Sequence, residues 1–143
     1  MTSGYVRPAL RLMPSPTAES QQFWTGGRDG DLLICRCGAC GRFFHPPSAA
    51  CFRCRSTDVT PSPVSGRGRV AAYTVNHQPW LPGFDPPYVV AMIELADEPD
   101  VRVTSNVVGI GPDDVTIGLE VEVFFEQWDD LWIPLFRPAG GAS

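Results

Sequence analysis

Cys37-Gly38-Ala39-Cys40 and Cys51-Phe52-Arg53-Cys54 are two Cys-x-x-Cys pairs with ten residues between them, and their reading decides the fold. Each pair makes a tight turn that presents two thiolates together, and two such turns complete a tetrahedron around one ion at about 2.3 Å per Zn–S bond. Gly38 and Gly41 permit the backbone angles such turns need. The spacer is shorter than the usual ~15–20 residues. It is still long enough for a hairpin turning at Pro46-Pro47. Four thiolates leave no open coordination position, so Cys37, Cys40, Cys51 and Cys54 read as ligands of a structural Zn2+. In zinc-finger peptides, binding of this kind supplies folding free energy on the order of 10–16 kcal/mol. Iron stays open as the metal, because rubredoxin-like turns use the same paired thiolates. The fifth cysteine, Cys35, lies too close to Cys37 for the turn and reads as a small, partly buried residue. His45 reads as a surface or packing histidine rather than a ligand.

Outward from the cysteines, residues 15–24 read as a short helix, with Ser15 as cap, Pro16 at its first position and Gly26-Gly27 as its end. Before it, residues 1–14 form an extended arm with no period. Phe23 and Trp24 read as packing anchors first and as contact residues second. Leu32-Leu33-Ile34 leads into the ribbon as a strand, and Thr60-Pro61-Ser62-Pro63 reads as a linker out of it. Strand patterns follow at 69–76, 88–95, 101–108 (with a bulge at Ser105-Asn106), 120–126 and 131–136, where Pro134 implies an edge. Five short strands separated by turns suit an open Greek-key barrel of the OB type. The fold class is therefore mainly β, with a short helix and a zinc ribbon ahead of a five-stranded barrel, and strand count alone does not separate the OB type from related barrels. The expected divisions are an arm and helix at 1–30, the ribbon at 31–60, the barrel at 61–138 and a disordered tail at 139–143.

Composition agrees. Among 143 residues there are 15 prolines and 14 glycines, which disfavour a helical bundle. No stretch approaches the roughly 20 apolar residues of a membrane span. Residues 1–13 lack the apolar core of a secretion signal, so a cytoplasmic location is expected, where thiols stay reduced. The net charge of −5 is uneven: residues 1–70 carry +5 and residues 71–143 carry −10. All eleven basic residues are arginines.

Motifs for independent catalysis are lacking. His45 and His77 sit in no nucleophile motif, and without lysine there is no phosphate-cradling GK[ST] loop. Asp113-Asp114 and Asp129-Asp130 are adjacent acids that read as solvated loop charges. The loop His77-Gln78-Pro79-Trp80-Leu81-Pro82-Gly83-Phe84 sets two aromatic rings on a proline-stiffened turn. It suits a partner or an apolar ligand, or else a cover over the barrel end.

In order along the chain come Phe23-Trp24, Cys37-x-x-Cys40-Gly41, Pro46-Pro47 and Cys51-x-x-Cys54. Then follow Val64-Ser65-Gly66-Arg67-Gly68-Arg69-Val70, Pro86-Pro87-Tyr88-Val89-Val90-Ala91 and Ser105-Asn106-Val107-Val108-Gly109. This order resembles the acyl-CoA-associated OB-fold family with an N-terminal rubredoxin-like zinc ribbon, over roughly residues 14–138. Within that family, Tyr73-Thr74-Val75-Asn76-His77-Gln78-Pro79-Trp80 looks most like the domain that accompanies steroid side-chain hydratases and partners thiolase-like aldolases. The resemblance implies a non-catalytic accessory subunit of an acyl-CoA lyase, a retro-aldolase, in steroid or sterol side-chain degradation. Only the four cysteines receive an assigned role from it. With only a short arm ahead of the helix, the chain is expected to lack the hydratase half of such proteins, which leaves open a separate enoyl-CoA hydratase partner. Phe23, Trp24, His77, Trp80, Phe84, Arg67 and Arg69 are the candidate contacts with the partner or with acyl-CoA, and the ribbon arginines could meet coenzyme A phosphates or remain solvated.

Two other readings compete. Ribbons and OB barrels both bind nucleic acid, but the −10 of the barrel half opposes phosphate, so no nucleic-acid partner is expected. A rubredoxin-like iron electron carrier is the other.

Overall fold

Alternating apolar side chains and prolines at tolerated positions set the architecture of residues 5–140, which a computed structural model describes. Part of the expected arm (residues 1–4) and of the expected tail (residues 141–143) lies outside the described residues. Ala139, the first residue of that tail, donates its N–H to the Glu120 carbonyl at 2.8 Å and is tied to the barrel.

The helix is shorter than its sequence suggests. Strand-free residues run to a turn in which Thr17 and Ser20 bond each other: Thr17 N–H donates to Ser20 Oγ at 2.8 Å, and Ser20 N–H to Thr17 Oγ1 at 3.2 Å. These local bonds compete with a helical ladder, so α1 spans only Gln21–Thr25 and neither Ser15 nor Pro16 starts it. Gly26 and Gly27 do not stop the chain in a left-handed turn; they begin a 3-10 turn, Gly26–Asp29, that ends at Gly30 with φ +80°. Their glycine identity serves close approach instead. A side chain on Gly27 would overlap Phe125 and Trp132 of the barrel.

The ribbon sheet has the order β2-β1-β3, from Phe43–Phe44, Leu32–Cys37 and Val59–Val64. The stretch expected as a linker is therefore a strand: β3 pairs with β1 along its length, setting Cys35 opposite Pro61 and Leu33 opposite Pro63. Pro61 and Pro63 are two residues apart, so both missing N–H groups fall on one side. An edge strand has such a free side, and the prolines deny it to any further strand.

Five strands then close a barrel in the order β4-β5-β6-β8-β7: Arg67–Asn76, Tyr88–Leu95, Arg102–Val107, Leu131–Pro138 and Glu120–Trp128. β6 and β8 are parallel, and the other neighbours are antiparallel. This is the OB topology expected. Gly68 lies where β4 pairs with β5 and β7 at once, opposite Leu95 and Val121. The expected bulge at Ser105-Asn106 is absent, because both residues stay in register with β5. Their polar groups find partners: Ser105 Oγ donates to the Pro134 carbonyl at 2.7 Å and Asn106 Nδ2 to the Val89 carbonyl at 2.8 Å. The register shift falls in β4 instead, between Val70 and Ala72. β8 is likewise not an edge, since it pairs with β7 and, at Phe136, with β6.

One core joins the parts. Leu32 and Ile34 of β1 and Phe23 of α1 pack with Val70, Ile93, Val121 and Phe136 of the barrel, each such side chain contributing about 1.5–3 kcal/mol on burial. Arg42 of the ribbon adds ion pairs to Glu98 and Asp100 at 3.9 and 3.7 Å; long and open to solvent at Arg42 and Asp100, they contribute little. No helix of the described residues is long and apolar enough to cross a membrane.

Candidate functional site

The two cysteine turns are built alike. In the first, Gly41 N–H donates to the Cys37 carbonyl at 2.8 Å and Cys37 N–H to the Arg42 carbonyl at 2.9 Å. In the second, Arg55 N–H donates to the Cys51 carbonyl at 3.0 Å and Cys51 N–H to the Ser56 carbonyl at 2.9 Å. Each turn needs a left-handed residue four places after its first cysteine. Gly41 fills that place at φ +80°, and Arg55 fills it at +64° despite its side chain. Gly38 lies against the Asp58 carboxylate, which would have to shift to admit a Cβ there.

These turns aim all four sulfurs at one point. The Sγ atoms of Cys37, Cys40, Cys51 and Cys54 lie within 4.8 Å of one another, with Cys37–Cys54 at 3.4 Å and Cys40–Cys51 at 3.8 Å. A tetrahedron with bonds of about 2.3 Å has edges of about 3.8 Å, so the sulfurs stand where a tetrahedral ion needs them. Backbone N–H groups of Cys40 and Arg53 point at the Cys37 and Cys51 sulfurs, each at 3.4 Å. Bonds of this kind favour thiolate. The Cys40 amide lowers the Cys37 thiol, and the Cys54 and Arg53 amides push Cys51 down to about 6. Cys54 goes up to about 11: the Ser56 amide favours its thiolate, but the adjacent Cys37 sulfur opposes a further negative charge. Four thiolates this close require a cation between them, and an all-sulfur tetrahedron suits zinc or iron. The set fits a metal, with every position taken by protein.

Cys35 stays out of this cluster. It is buried, and burial pushes its thiol up. His45 is outside it too, its ring 4.9 Å from that of Phe23 and its Nδ1 buried without a hydrogen-bond partner. Burial drops His45 from its ordinary 6.5 to about 4. The unfolded chain therefore takes up this proton first as pH falls. The stability that the neutral ring contributes is complete above pH 6.5 and is lost as pH drops toward 4, a change on the order of 3 kcal/mol. Thermal unfolding of wild type and His45→Phe between pH 7 and 4.5 should show a shallower acid loss in the variant. Equal slopes would dismiss this role.

The other candidate contacts do not form one patch. Phe23 is buried and Trp24 packs edge-on against it at 4.8 Å, so both are anchors. Arg67 and Arg69 open β4 and stand beside acids, Arg67 pairing with Glu122 at 3.8 Å. His77, Trp80 and Phe84 follow the other end of the same strand. From Arg69 to Asn76 is seven residues, or about 23 Å of strand, so the arginines and the aromatic loop face different ends of the barrel. Trp80 is 74% exposed, and its indole N–H donates to Asn76 Oδ1 at 2.9 Å. Phe84 turns inward, stacked on Tyr88 at 4.5 Å and under the Arg11 guanidinium at 5.0 Å.

A second polar cluster was not anticipated. Glu126 is only 6% exposed, and it accepts from the Tyr5 hydroxyl, from Arg11 Nε at 3.0 Å and from Trp128 Nε1 at 2.7 Å. Arg11 Nη1 also donates to Asn106 Oδ1 at 2.9 Å. Burial, then the carboxylate itself, pushes the Tyr5 hydroxyl up to about 12, so it remains a donor. The available signal was a tyrosine and two arginines, Tyr5, Arg7 and Arg11, in an otherwise unpatterned arm.

Comparison with known proteins adds to this geometry. Residues 24–60 match the ChsH2 rubredoxin-like zinc ribbon domain, and residues 62–126 match the ChsH2 C-terminal OB-fold domain. The chain is 38% identical to the probable enoyl-CoA hydratase alpha subunit of Thermomonospora curvata. It is 32% identical to the 3-oxo-4,17-pregnadiene-20-carboxyl-CoA hydratase alpha subunit of Mycobacterium tuberculosis. Each match takes in 92% of this chain but 41% of the relative, so the chain spans about two fifths of those proteins. A DUF35 domain-containing scaffold protein of Methanocaldococcus jannaschii is 38% identical, over 67% of this chain and 68% of its own length. Among solved structures, a chain of the Ltp2-ChsH2(DUF35) aldolase superposes with a TM-score of 0.81 at 36% identity, over 89% of this chain and 99% of that one.

Proposed function

Since the chain belongs to the DUF35 family, with both the zinc ribbon and the OB fold of the ChsH2 type, we propose that it is the non-catalytic accessory subunit of a thiolase-like acyl-CoA lyase. The observation that carries this reading is the likeness, along nearly all of its length, to a chain of the Ltp2-ChsH2(DUF35) aldolase. The side-chain chemistry is consistent with it: the four clustered cysteines face one another, His45 is packed against Phe23, and Glu126 is clasped on three sides. In this role Cys37, Cys40, Cys51 and Cys54 hold a structural Zn2+ that stiffens the ribbon, and the acyl-CoA substrate is met chiefly by the partner. The exposed Trp80 loop is the docking element of choice.

The partner cleaves a β-hydroxyacyl-CoA by retro-aldol reaction. An enoyl-CoA hydratase makes that kind of compound by adding water, which places a hydratase before this complex, and the hydratase alpha subunits among the relatives agree with it. One of them is named for a pregnadiene-carboxyl-CoA, which favours a steroid side chain as the substrate class. Reduced thiols suit the cytoplasm as the compartment. Co-expression with a thiolase-like protein encoded nearby tests the reading. The two chains should co-purify, and cleavage of a steroid β-hydroxyacyl-CoA should require both. Separate elution, with cleavage undiminished when this chain is omitted, rejects it.

A further inference from the structure

Glu126 is buried in an unusual way. Along β7 the core-facing residues are Val121, Val123 and Phe125, so by the two-residue period Glu126 belongs to the outer face, with Glu120, Glu122 and Phe124. Something outside the barrel must cover it, and that cover is the segment Tyr5–Arg11. Tyr5 sets its ring edge-on against Phe124 at 5.9 Å and its hydroxyl on Glu126. Arg7 lies over the Trp128 ring at 4.0 Å. Arg11 brings its side chain, 11% exposed, to Glu126 and Asn106, while Leu10 N–H donates to the Gly83 carbonyl at 3.1 Å.

The same segment forms one wall of a chamber of about 690 Å³ at the mouth of the barrel. The opposite walls are Phe84, Tyr88, Val89, Val107 and Ile110. A chamber of that size with mainly apolar walls has the character of a ligand pocket. Both arginines of the segment are already engaged, Arg7 by Trp128 and Arg11 by Glu126 and Asn106. The remaining charged group of the lining, Asp85, is exposed and would repel an anion, so the mainly apolar walls suit an apolar occupant without negative charge.

What holds this wall is polar. None of residues 5–13 is buried, and Val6 is 83% exposed. The segment thus contributes little apolar burial, and of its polar attachments the Glu126 carboxylate gathers the most, taking both Tyr5 and Arg11, while Asn106 and the Gly83 carbonyl take one hydrogen bond each. Lifting it would return Glu126 and Arg11 to water rather than strand them in the core. For an ion pair, desolvation and attraction nearly offset each other. Closure of this kind is reversible.

We propose that residues 5–11 are a displaceable strap, that Glu126 is its catch, and that releasing the catch opens the barrel-mouth chamber to apolar molecules without negative charge. The proposal does not depend on the lyase reading, and its test needs no partner. Amide exchange and Nile red fluorescence would be measured on the metal-loaded full chain, as wild type, Glu126→Gln and Tyr5→Phe. With Glu126→Gln, the Leu10 amide should lose at least tenfold of its protection and Nile red emission should rise several-fold, while the amides of Val70, Ile93 and Val121 keep their wild-type rates. Tyr5→Phe should do the same to a smaller extent. The proposal is overturned if Leu10 exchange and Nile red emission do not change. It is equally overturned if the core amides lose protection together with Leu10, or if Glu126→Gln does not fold, because the segment would then be an integral part of the barrel.

Discussion

Removing the metal with a strong chelator, or replacing Cys37 with serine, will unravel the cysteine turns and leave the barrel standing. The ribbon has little else to hold it: its own cluster consists of Cys35, Cys37, Phe44 and Cys51, with Val59 beside them. Such a small apolar set cannot offset the ordering of some twenty-five residues at about 1–2 kcal/mol each. A structural zinc site supplies on the order of 10 kcal/mol, and that term disappears with the ion. β1 is anchored at its other end, because Leu32 and Ile34 belong to the barrel core. Amide exchange should therefore rise sharply at Gly41, Arg55 and Cys51, whose N–H groups close the turns, and remain slow at Val70 and Ile93. Native protein should be colourless and carry one zinc per chain, as a closed four-sulfur site predicts. Visible absorption of ferric thiolate would assign iron to the same cage. If native protein carries no metal and the chelator leaves the turn amides protected, the cage has been misread.

How legible each part was depends on the range of the forces that build it. The metal cage is written in spacing, since two Cys-x-x-Cys turns have few other uses in a reducing setting. The barrel strands announce themselves by apolar alternation, and five of five were found in place. The misreadings came from residues whose meaning depends on position in a sheet. Pro61 and Pro63 look like linker residues until β3 is known to be an edge. Pro134 looks like an edge residue, yet it sits in a closed barrel, opposite Phe125. Residues 15–20 carry good helix-start signals, but Thr17 and Ser20 bond each other first. The Glu126 clasp was hidden because two of its three partners, Arg11 and Tyr5, are 115 and 121 residues away along the chain. No periodicity reports such a contact.

Phe23 and Trp80 looked alike as aromatic candidates, and alanine at each should now give opposite results. Phe23 is 6% exposed and touches Trp24, His45 and the common core that joins α1, β1 and the barrel. Its truncation opens a cavity where three elements meet, which costs about 3–5 kcal/mol. At this chain length that corresponds to a fall in melting temperature of roughly 10–15 °C. Trp80 touches little, its indole held by Asn76 alone. Trp80→Ala should change stability by no more than about 0.5 kcal/mol. If the loop docks a partner, an exposed tryptophan pinned in place before binding has the makings of a hot spot. Its loss would cost about 2 kcal/mol or more, close to thirty-fold in affinity. Melting curves of the free chain and a binding titration against the co-purified lyase subunit separate the two effects. Full affinity in Trp80→Ala would move the docking surface to another face of the barrel, and an unshifted melting temperature in Phe23→Ala would deny the common core its keystone.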